Sequence, residues 1–278
     1  MKKFERIAIV GTGLIGGSLG LAIKKRALAK TVVGISRTRQ SVGRARSSGA
    51  VDIASRKLEA IRGCDFLILC LPVAEILRQA PRIAQLAGKG CLVCDVGSTK
   101  NEISASLEKI FPNFVGCHPL AGSEKRGIAN ADGRLFDGSL CIITISPRTR
   151  KAALDRVTGF WKSICGRVTF MPPREHDRVL ALVSHLPHAV AFALANTVPE
   201  ALLGFSSGGF KDTTRLAGSD ERLWSDIFLS NRKNVAEAIG IFEKSLQHLR
   251  LALKKGDRTA LSAQLRKARA KRQQLEKR

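Results

Sequence analysis

Ile7-Ala8-Ile9-Val10-Gly11-Thr12-Gly13-Leu14-Ile15-Gly16-Gly17-Ser18 is the stretch that decides the fold. A continuous apolar run of four predicts a strand buried on both faces, which is the signature of a parallel sheet covered by helices. The run enters G-x-G-x-x-G and then an apolar helical periodicity from Leu14 to Lys25. In that strand-turn-helix setting the glycines have separate tasks. Gly11 makes the tight turn, Gly13 lets the backbone approach a pyrophosphate, and Gly16 brings helix and strand close together. The helix then starts at Leu14 and Ile15, with unpaired N–H groups and a partial positive charge directed at the phosphates. The expectation is a dinucleotide site formed by Gly11, Gly13, Leu14, Ile15 and Gly16.

The second apolar run, Val32-Val33-Gly34-Ile35, ends in Ser36-Arg37-Thr38-Arg39. An NAD site usually carries Asp or Glu here to hold the ribose 2′-hydroxyl. This chain has a hydroxyl and guanidinium groups instead. Ser36 suits a 2′-phosphate as a hydrogen-bond donor, and Arg37 suits it as a forked cation, so the loop favours NADP over NAD.

Further apolar runs at Phe66–Leu71, Leu92–Val96, Phe114–Cys117, Leu140–Ile145 and Val168–Met171 alternate with helical segments Ile76–Leu86, Lys100–Ile110 and Arg150–Cys165. The pattern predicts an α/β Rossmann-type, doubly wound parallel sheet. After Pro172-Pro173 the strand-like runs stop and helical periodicity takes over. The chain is therefore divided at residue 171, giving a dinucleotide-binding domain over 1–171 and an all-helical substrate-binding and dimerisation domain over 172–278.

The chain has 278 residues, 44% of them hydrophobic and 25% charged, which is ordinary for a soluble globular protein. Glu5, Arg6 and the glycines break the N-terminal apolar stretch, which does not read as a signal peptide, and no run is expected to reach the roughly 18 apolar residues of a membrane span. Seven cysteines spread over long intervals argue against a disulfide framework and for free thiols in the cytoplasm. Cys91 and Cys94 fall three apart on one predicted strand and so point to opposite faces; no metal site is expected there. The net charge of +24 is the abnormal quantity. Its densest patch runs from Lys254 to Arg278, with ten Lys/Arg against two acidic residues. The chain lacks a recognised nucleic-acid motif and has only 5% aromatics and no tyrosine, so nucleic acid is not the expected partner.

Four segments carry further chemistry. Asp95-Val96-Gly97-Ser98-Thr99-Lys100 follows a strand and brings Ser98 to the carboxyl edge of the sheet, where ligands of such sheets bind. Cys117-His118-Pro119-Leu120-Ala121-Gly122-Ser123-Glu124-Lys125 places His118 at the same edge, as an acid/base group facing the cofactor. Ser184-His185-Leu186-Pro187-His188 heads a helix, and Gly208-Gly209-Phe210-Lys211-Asp212-Thr213-Thr214-Arg215 precedes Trp224.

Together these segments resemble the prephenate/arogenate dehydrogenase family of tyrosine biosynthesis, through nearly the whole chain. The resemblance implies oxidative decarboxylation of prephenate or arogenate, with hydride passing to NAD or NADP. It implies that His118 takes the proton of the ring hydroxyl and that Ser98 orients His118 and the nicotinamide. His188 and Arg215 would hold the substrate, Arg215 through a carboxylate, with Ser123, Glu124, Lys211, Asp212 and Trp224 around them. Histidine at position 188 resembles prephenate-using members, whereas the Ser36-Arg37 pair resembles NADP-using ones. Two alternatives stay open: a 3-hydroxyacid-type dehydrogenase with Lys211 as its acid/base group, and a basic nucleic-acid module with a dinucleotide-sensing fold.

The apolar residues Val235, Ile239, Phe242, Leu246, Leu249 and Leu253 are spaced 4, 3, 4, 3 and 4 apart. That 3.5-residue period predicts a seam that meets another helix, and a homodimer joined through the helical half.

Overall fold

Strand β1 (Phe4–Val10) is fully buried from Ile7 onward and is an interior strand, third in an eight-stranded sheet. The computed structural model describes residues 2–122 and 127–276. The sheet order is β3-β2-β1-β4-β5-β6-β7-β8. Its other strands are β2 (Ala29–Ile35), β3 (Ile53–Ser55), β4 (Phe66–Leu69), β5 (Leu92–Asp95), β6 (Phe114–Pro119), β7 (Leu140–Thr144) and β8 (Arg167–Met171). Every pairing is parallel except β6 with β7. The chain leaves β1 toward β2 and β3, then returns to the other side of β1 for β4. That reversal opens the crevice where ligands of such sheets bind.

Alternation along the strands divides the core between two faces. Ile7, Ile9, Phe66, Ile68 and Cys94 face helices α1 (Leu14–Lys25) and α5 (Lys151–Lys162). Ala8, Val10, Leu67, Leu69 and Val93 face α3 (Val73–Leu86) and α4 (Asn101–Ile110). Cys91 and Cys94 fall in different faces, as their spacing requires. On the first face Phe4, Phe66 and Phe160 form an aromatic cluster, with ring centroids 5.0 Å apart for Phe4–Phe66 and for Phe66–Phe160. Such pairs add about 0.5–1.5 kcal/mol beyond the area they bury.

Two elements were not expected. The three-residue β3 is too short to produce a periodic signal, and α2 (Arg39–Ser47) buries only Ala45 and is otherwise polar. Beyond β8 the described chain is helical. α6 (Pro173–Leu180), a π-helical turn (Ala181–His185) and α7 (Leu186–Thr197) run on as one helix, followed by α8 (Gly208–Thr214), α9 (Glu221–Ser230), α10 (Arg232–Lys254) and α11 (Arg258–Glu276). The expectation about membrane spans needs correcting here. The helix Pro173–Thr197 is long and apolar enough to cross a membrane, with a window of mean hydropathy 1.5 that is only 22% buried. Ser184, His185 and His188 conceal this in the sequence by interrupting the apolar run.

The chain divides into two compact units, residues 1–231 and 232–278. The second unit is the pair α10 and α11. Along the α10 seam Val235 is buried, while Leu246 and Leu253 remain 48% and 60% exposed.

Candidate active site

The carboxyl ends of β1, β4, β5 and β6 open into a cavity of about 810 Å³ within the first unit. Gly13, Leu14, Ile15 and Gly16 line one part of it, Ser98 and His118 another, and Ser184, His185, His188, Arg215 and Trp224 a third. Thus the turn, the candidate base and both helical motifs share one space although they span more than 200 residues of chain.

Steric limits fix the turn. Gly11 has φ +100°, and a Cβ there would meet the Cys70 carbonyl oxygen at 2.2 Å. A Cβ at Gly16 would lie 1.9 Å from the Gly11 oxygen, whereas one at Gly13 would meet nothing within 4 Å. Gly11 and Gly16 therefore close the turn and Gly13 stays open to a ligand. The first helical bond of α1 is Gly17 N–H to Gly13 O at 2.9 Å. This leaves the preceding N–H groups of the helix without intrahelical partners at the cavity wall.

Ser36 sits just past β2 and is buried, its hydroxyl hydrogen-bonded to that of Thr12 in the glycine turn. Arg37 is exposed, and its carbonyl accepts a bond from Arg56 Nε at 3.0 Å. Neither belongs to the cavity lining. Lys211 is exposed on α8 and also lies outside that lining. Ser123 and Glu124 fall outside the described residues.

His118, at the end of β6, has His176 as its partner. Its Nδ1 lies 2.9 Å from Nε2 of His176, and His176 Nδ1 lies 2.8 Å from Oδ1 of Asp177. The carboxylate can only accept, so His176 carries its proton on Nδ1 and offers Nε2 as an acceptor. His118 then donates through Nδ1 and keeps a free lone pair on Nε2. Asp177 is itself fixed, accepting from the backbone N–H groups of Lys100 at 2.7 Å and Asn101 at 2.9 Å at the start of α4. A carboxylate at a helix N-terminus is favoured by the dipole and the unpaired donors there. Burial, then the neighbouring His176 and Lys100, push the His118 pKa well below its usual value, so the ring is neutral at neutral pH. Among the described residues Ser98 makes no hydrogen bond to His118.

Beneath this relay lies a fully buried ion pair, Asp95 with Lys100. Burial raises the Asp95 pKa, and the Lys100 ammonium opposes that rise. Asp95 also accepts from Gly97 N–H at 2.8 Å and Cys117 N–H at 3.3 Å, so it ties the Ser98 loop to β6, the strand that carries His118.

The helical wall has its own order. Pro187 lacks an N–H, and the π-helical turn just before it is a common device at functional sites. His188 Nδ1 donates to Ser184 O at 3.0 Å, and its ring stacks on Trp224 with centroids 3.5 Å apart at 21°. Burial, and then the Arg215 charge, lower the His188 pKa. Asn231 Nδ2 donates to Asp177 O at 2.7 Å and lies 3.1 Å from His185 Nδ1.

His176, Asp177 and Asn231 were missed from the sequence, and Asp95 and Lys100 were noticed only as part of a motif. The His176-Asp177 pair gave little signal, since it sits among Arg174, Glu175 and Arg178 on the polar helix α6.

Comparison with known proteins agrees with this arrangement. The family profile "Prephenate dehydrogenase, nucleotide-binding domain" matches residues 19–170, and "Prephenate dehydrogenase, dimerization domain" matches residues 172–267. The cyclohexadienyl dehydrogenase of Zymomonas mobilis is 34% identical, covering 92% of this chain and 91% of that protein. The prephenate dehydrogenase of Bacillus subtilis is 32% identical, covering 91% of this chain and 71% of that one. The crystal structure of prephenate dehydrogenase from A. aeolicus with hydroxyphenyl propionate and NAD+ superimposes with a TM-score of 0.94 at 35% identity, covering 99% of each chain. The chain thus belongs to the prephenate dehydrogenase family of NAD(P)-dependent oxidoreductases.

Proposed function

We propose that the protein oxidises and decarboxylates prephenate, in the tyrosine-forming branch of aromatic amino-acid synthesis, with His118 as its base. The observation that carries this reading is the shared cavity, in which the glycine turn, His118, His188 and Arg215 face one space. A nicotinamide cofactor bound at the turn supplies the hydride acceptor. Gly11, Gly13, Leu14, Ile15 and Gly16 hold its pyrophosphate side, with Ser36 and Arg37 toward the 2′-position.

The chain's own contribution is placement and one proton transfer. The reacting ring carbon loses hydride, the ring carboxylate leaves as carbon dioxide, and the ring becomes aromatic. As the hydroxyl loses its proton, Nε2 of His118 takes it. The resulting imidazolium can share its charge through Nδ1–H with His176 and, beyond it, Asp177, which follows the orienting logic of a catalytic triad. Arg215 binds a substrate carboxylate, and His188, braced on Trp224, donates or accepts beside it. Ser98 lies near the reacting centre and Ser123 belongs to the surrounding network in this reading, whereas Lys211, exposed and outside the cavity lining, takes no part in it.

Prephenate over arogenate is supported by His188, and NADP over NAD by the missing carboxylate at the end of β2. The functional division at residue 171 is supported by the end of β8 and by the meeting of the two family matches there. The dimerization-domain match supports a homodimer, for which the exposed α10 seam offers an interface. A cytoplasmic site fits seven free thiols. The test is NADP- and NAD-dependent turnover measured with prephenate and with arogenate. Absence of turnover with either substrate would sink the reading.

A further inference from the structure

Two arginines from different strands meet at the carboxyl edge of the sheet, beside the glycine turn. Ile35 of β2 is paired with Ser55 of β3, and Ser36 N–H donates to Ser55 O at 3.0 Å. The two strands therefore end side by side, and Ser36-Arg37 and Arg56 leave the sheet together. Arg56 reaches back to β2, its Nε donating to the Arg37 carbonyl at 3.0 Å. The Ser55 hydroxyl supports that turn by accepting from Lys57 N–H at 2.9 Å. All three residues of β3 are exposed or half-buried, so the strand adds little to the core; what it does is set Arg56 against Arg37. On the other side the Ser36 hydroxyl bonds that of Thr12, which makes the glycine turn and this edge contiguous.

The edge is cationic throughout. Arg37, Arg39, Arg56 and Lys57 are all exposed, and α2 starts at Arg39 with no acidic residue in its first turn. Among the described residues no carboxylate forms an ion pair with Arg37 or Arg56. The Glu75 carboxylate, which the Arg37 charge also influences, is committed to Arg78 at 2.7 and 3.1 Å and to Gln79 at 2.9 Å. Two like charges tied to one short stretch of backbone repel each other, and an anion placed between them relieves that repulsion. The bond to the Arg37 carbonyl uses one of the five N–H donors of Arg56 and leaves the rest of the fork for such an anion.

We propose that Arg56 is a second cation for the 2′-phosphate of NADP, holding it from the β3 side while Arg37 holds it from β2. The inference rests on the NADP reading given above and adds to it a residue from another strand. A ribose 2′-hydroxyl carries no charge, so NAD gains little from Arg56. A phosphate monoester carries roughly 1.5–2 negative charges at neutral pH and three strong acceptor oxygens, enough for both guanidinium groups and the Ser36 hydroxyl. A planar guanidinium pairs with it through two parallel bonds, which an ammonium cannot do. The Nε bond to the Arg37 carbonyl fixes the Arg56 side chain beforehand, so less conformational freedom is lost when the phosphate binds.

Adenosine 2′,5′-bisphosphate and AMP differ only in the 2′-phosphate and serve as probes, with dissociation constants measured by calorimetry on the full chain. No turnover is needed. The parent should bind the bisphosphate more tightly than AMP, and added salt should shrink that preference because it is coulombic. Arg56→Ala should weaken bisphosphate binding roughly tenfold, the effect of one charged hydrogen-bonded contact, and AMP binding by less than about twofold. Arg37→Ala with Arg56→Ala should bind the bisphosphate more weakly than Arg37→Ala alone. That comparison separates a phosphate contact from a brace: if Arg56 served only to hold the Arg37 loop for the Arg37 side chain, its loss would add nothing once that side chain is gone. The proposal is overturned if Arg56→Ala keeps the full bisphosphate preference, if it weakens both probes alike, or if it adds nothing in the Arg37→Ala background; in each case a parent that prefers the bisphosphate leaves the NADP reading standing. A parent that binds both probes equally overturns the NADP reading itself, and the role of Arg56 with it.

Discussion

Nδ1 of His118 lies 2.9 Å from Nε2 of His176, and these two rings are 58 residues apart in the chain. The bond settles which nitrogen of His118 is left to act, because Asp177 determines the tautomer of His176 and His176 that of His118. His118→Asn should fold and bind cofactor yet lose roughly 10²–10⁴-fold in turnover, the usual contribution of a positioned base. His176→Gln should lower kcat by up to about 10²-fold with little change in KM, since it misplaces the base without touching substrate. Steady-state kinetics with a cofactor-binding titration checks both. Near-parental turnover in folded His118→Asn would remove it from the mechanism.

Arg215→Ala should raise KM more than it lowers kcat, because a ground-state carboxylate contact is lost. Cofactor affinity should be unchanged. An unmoved KM would show that Arg215 holds no part of the substrate.

The parts of this site that were legible in sequence are those whose signal is local. The glycine turn combines a strand, fixed glycine spacing and a helix start within about a dozen residues, and its geometry follows from sterics. His176 gave no such signal, because its partner is brought to it only by the folding of α6 against β6 and α4. Pro172-Pro173 was legible as a boundary but not as the start of a helix that carries His176, Asp177, His185 and His188 on one continuous run. The antiparallel entry of β7 was equally hidden, since strand direction depends on the connection rather than on composition. The Ser36 hydroxyl was expected to serve a 2′-phosphate, and in the structure it bonds to the hydroxyl of Thr12.

Acid should weaken the fold through the buried histidines. Burial lowers the His185 pKa from 6.5 to about 4, and Asn231 donates to its Nδ1, which a proton there would disrupt. Above pH 6.5 the ring is neutral in both states, and between 6.5 and about 4 only the unfolded chain takes up the proton. Stability is therefore held above the unfolded pKa and lost as pH falls through that window, at up to about 1.4 kcal/mol per pH unit for each such histidine. His118 and His176 shift in the same direction. Urea unfolding at about pH 7.5 and about pH 5 should show the loss, and His185→Gln should reduce it. Equal stability at both values would contradict these directions.

Ser36→Asp with Arg37→Ile should move cofactor preference from NADP toward NAD. The new carboxylate can accept from a ribose 2′-hydroxyl and repels a 2′-phosphate. The ratio of kcat/KM for the two cofactors is the readout. A parent protein that already prefers NAD strongly would refute this reading of the loop.

The homodimer should be held by the α10 seam. Val235, Ile239, Phe242, Leu246, Leu249 and Leu253 alternate four and three residues apart, the heptad pattern, which keeps one stripe facing a partner helix over nearly three heptads. Within one chain that stripe is unevenly covered, since Val235 is buried but Leu246 and Leu253 stay 48% and 60% exposed. Exposed leucines in register on a long helix are costly in water, at about 25 cal/mol for each Å² of apolar surface. Burying them against a second copy removes that cost, and a two-fold axis lets the same stripe serve both chains. Light scattering should give about twice the 30.1 kDa chain mass. Leu246→Glu with Leu253→Glu should lower that mass, because both positions are exposed in the single chain and a carboxylate is tolerated there but not inside a seam. The measurement belongs at moderate salt, where the repulsion of a +24 chain is screened. A monomeric mass for the parent under those conditions would rule out the dimer, and an unchanged dimeric mass for the double variant would move the interface away from α10.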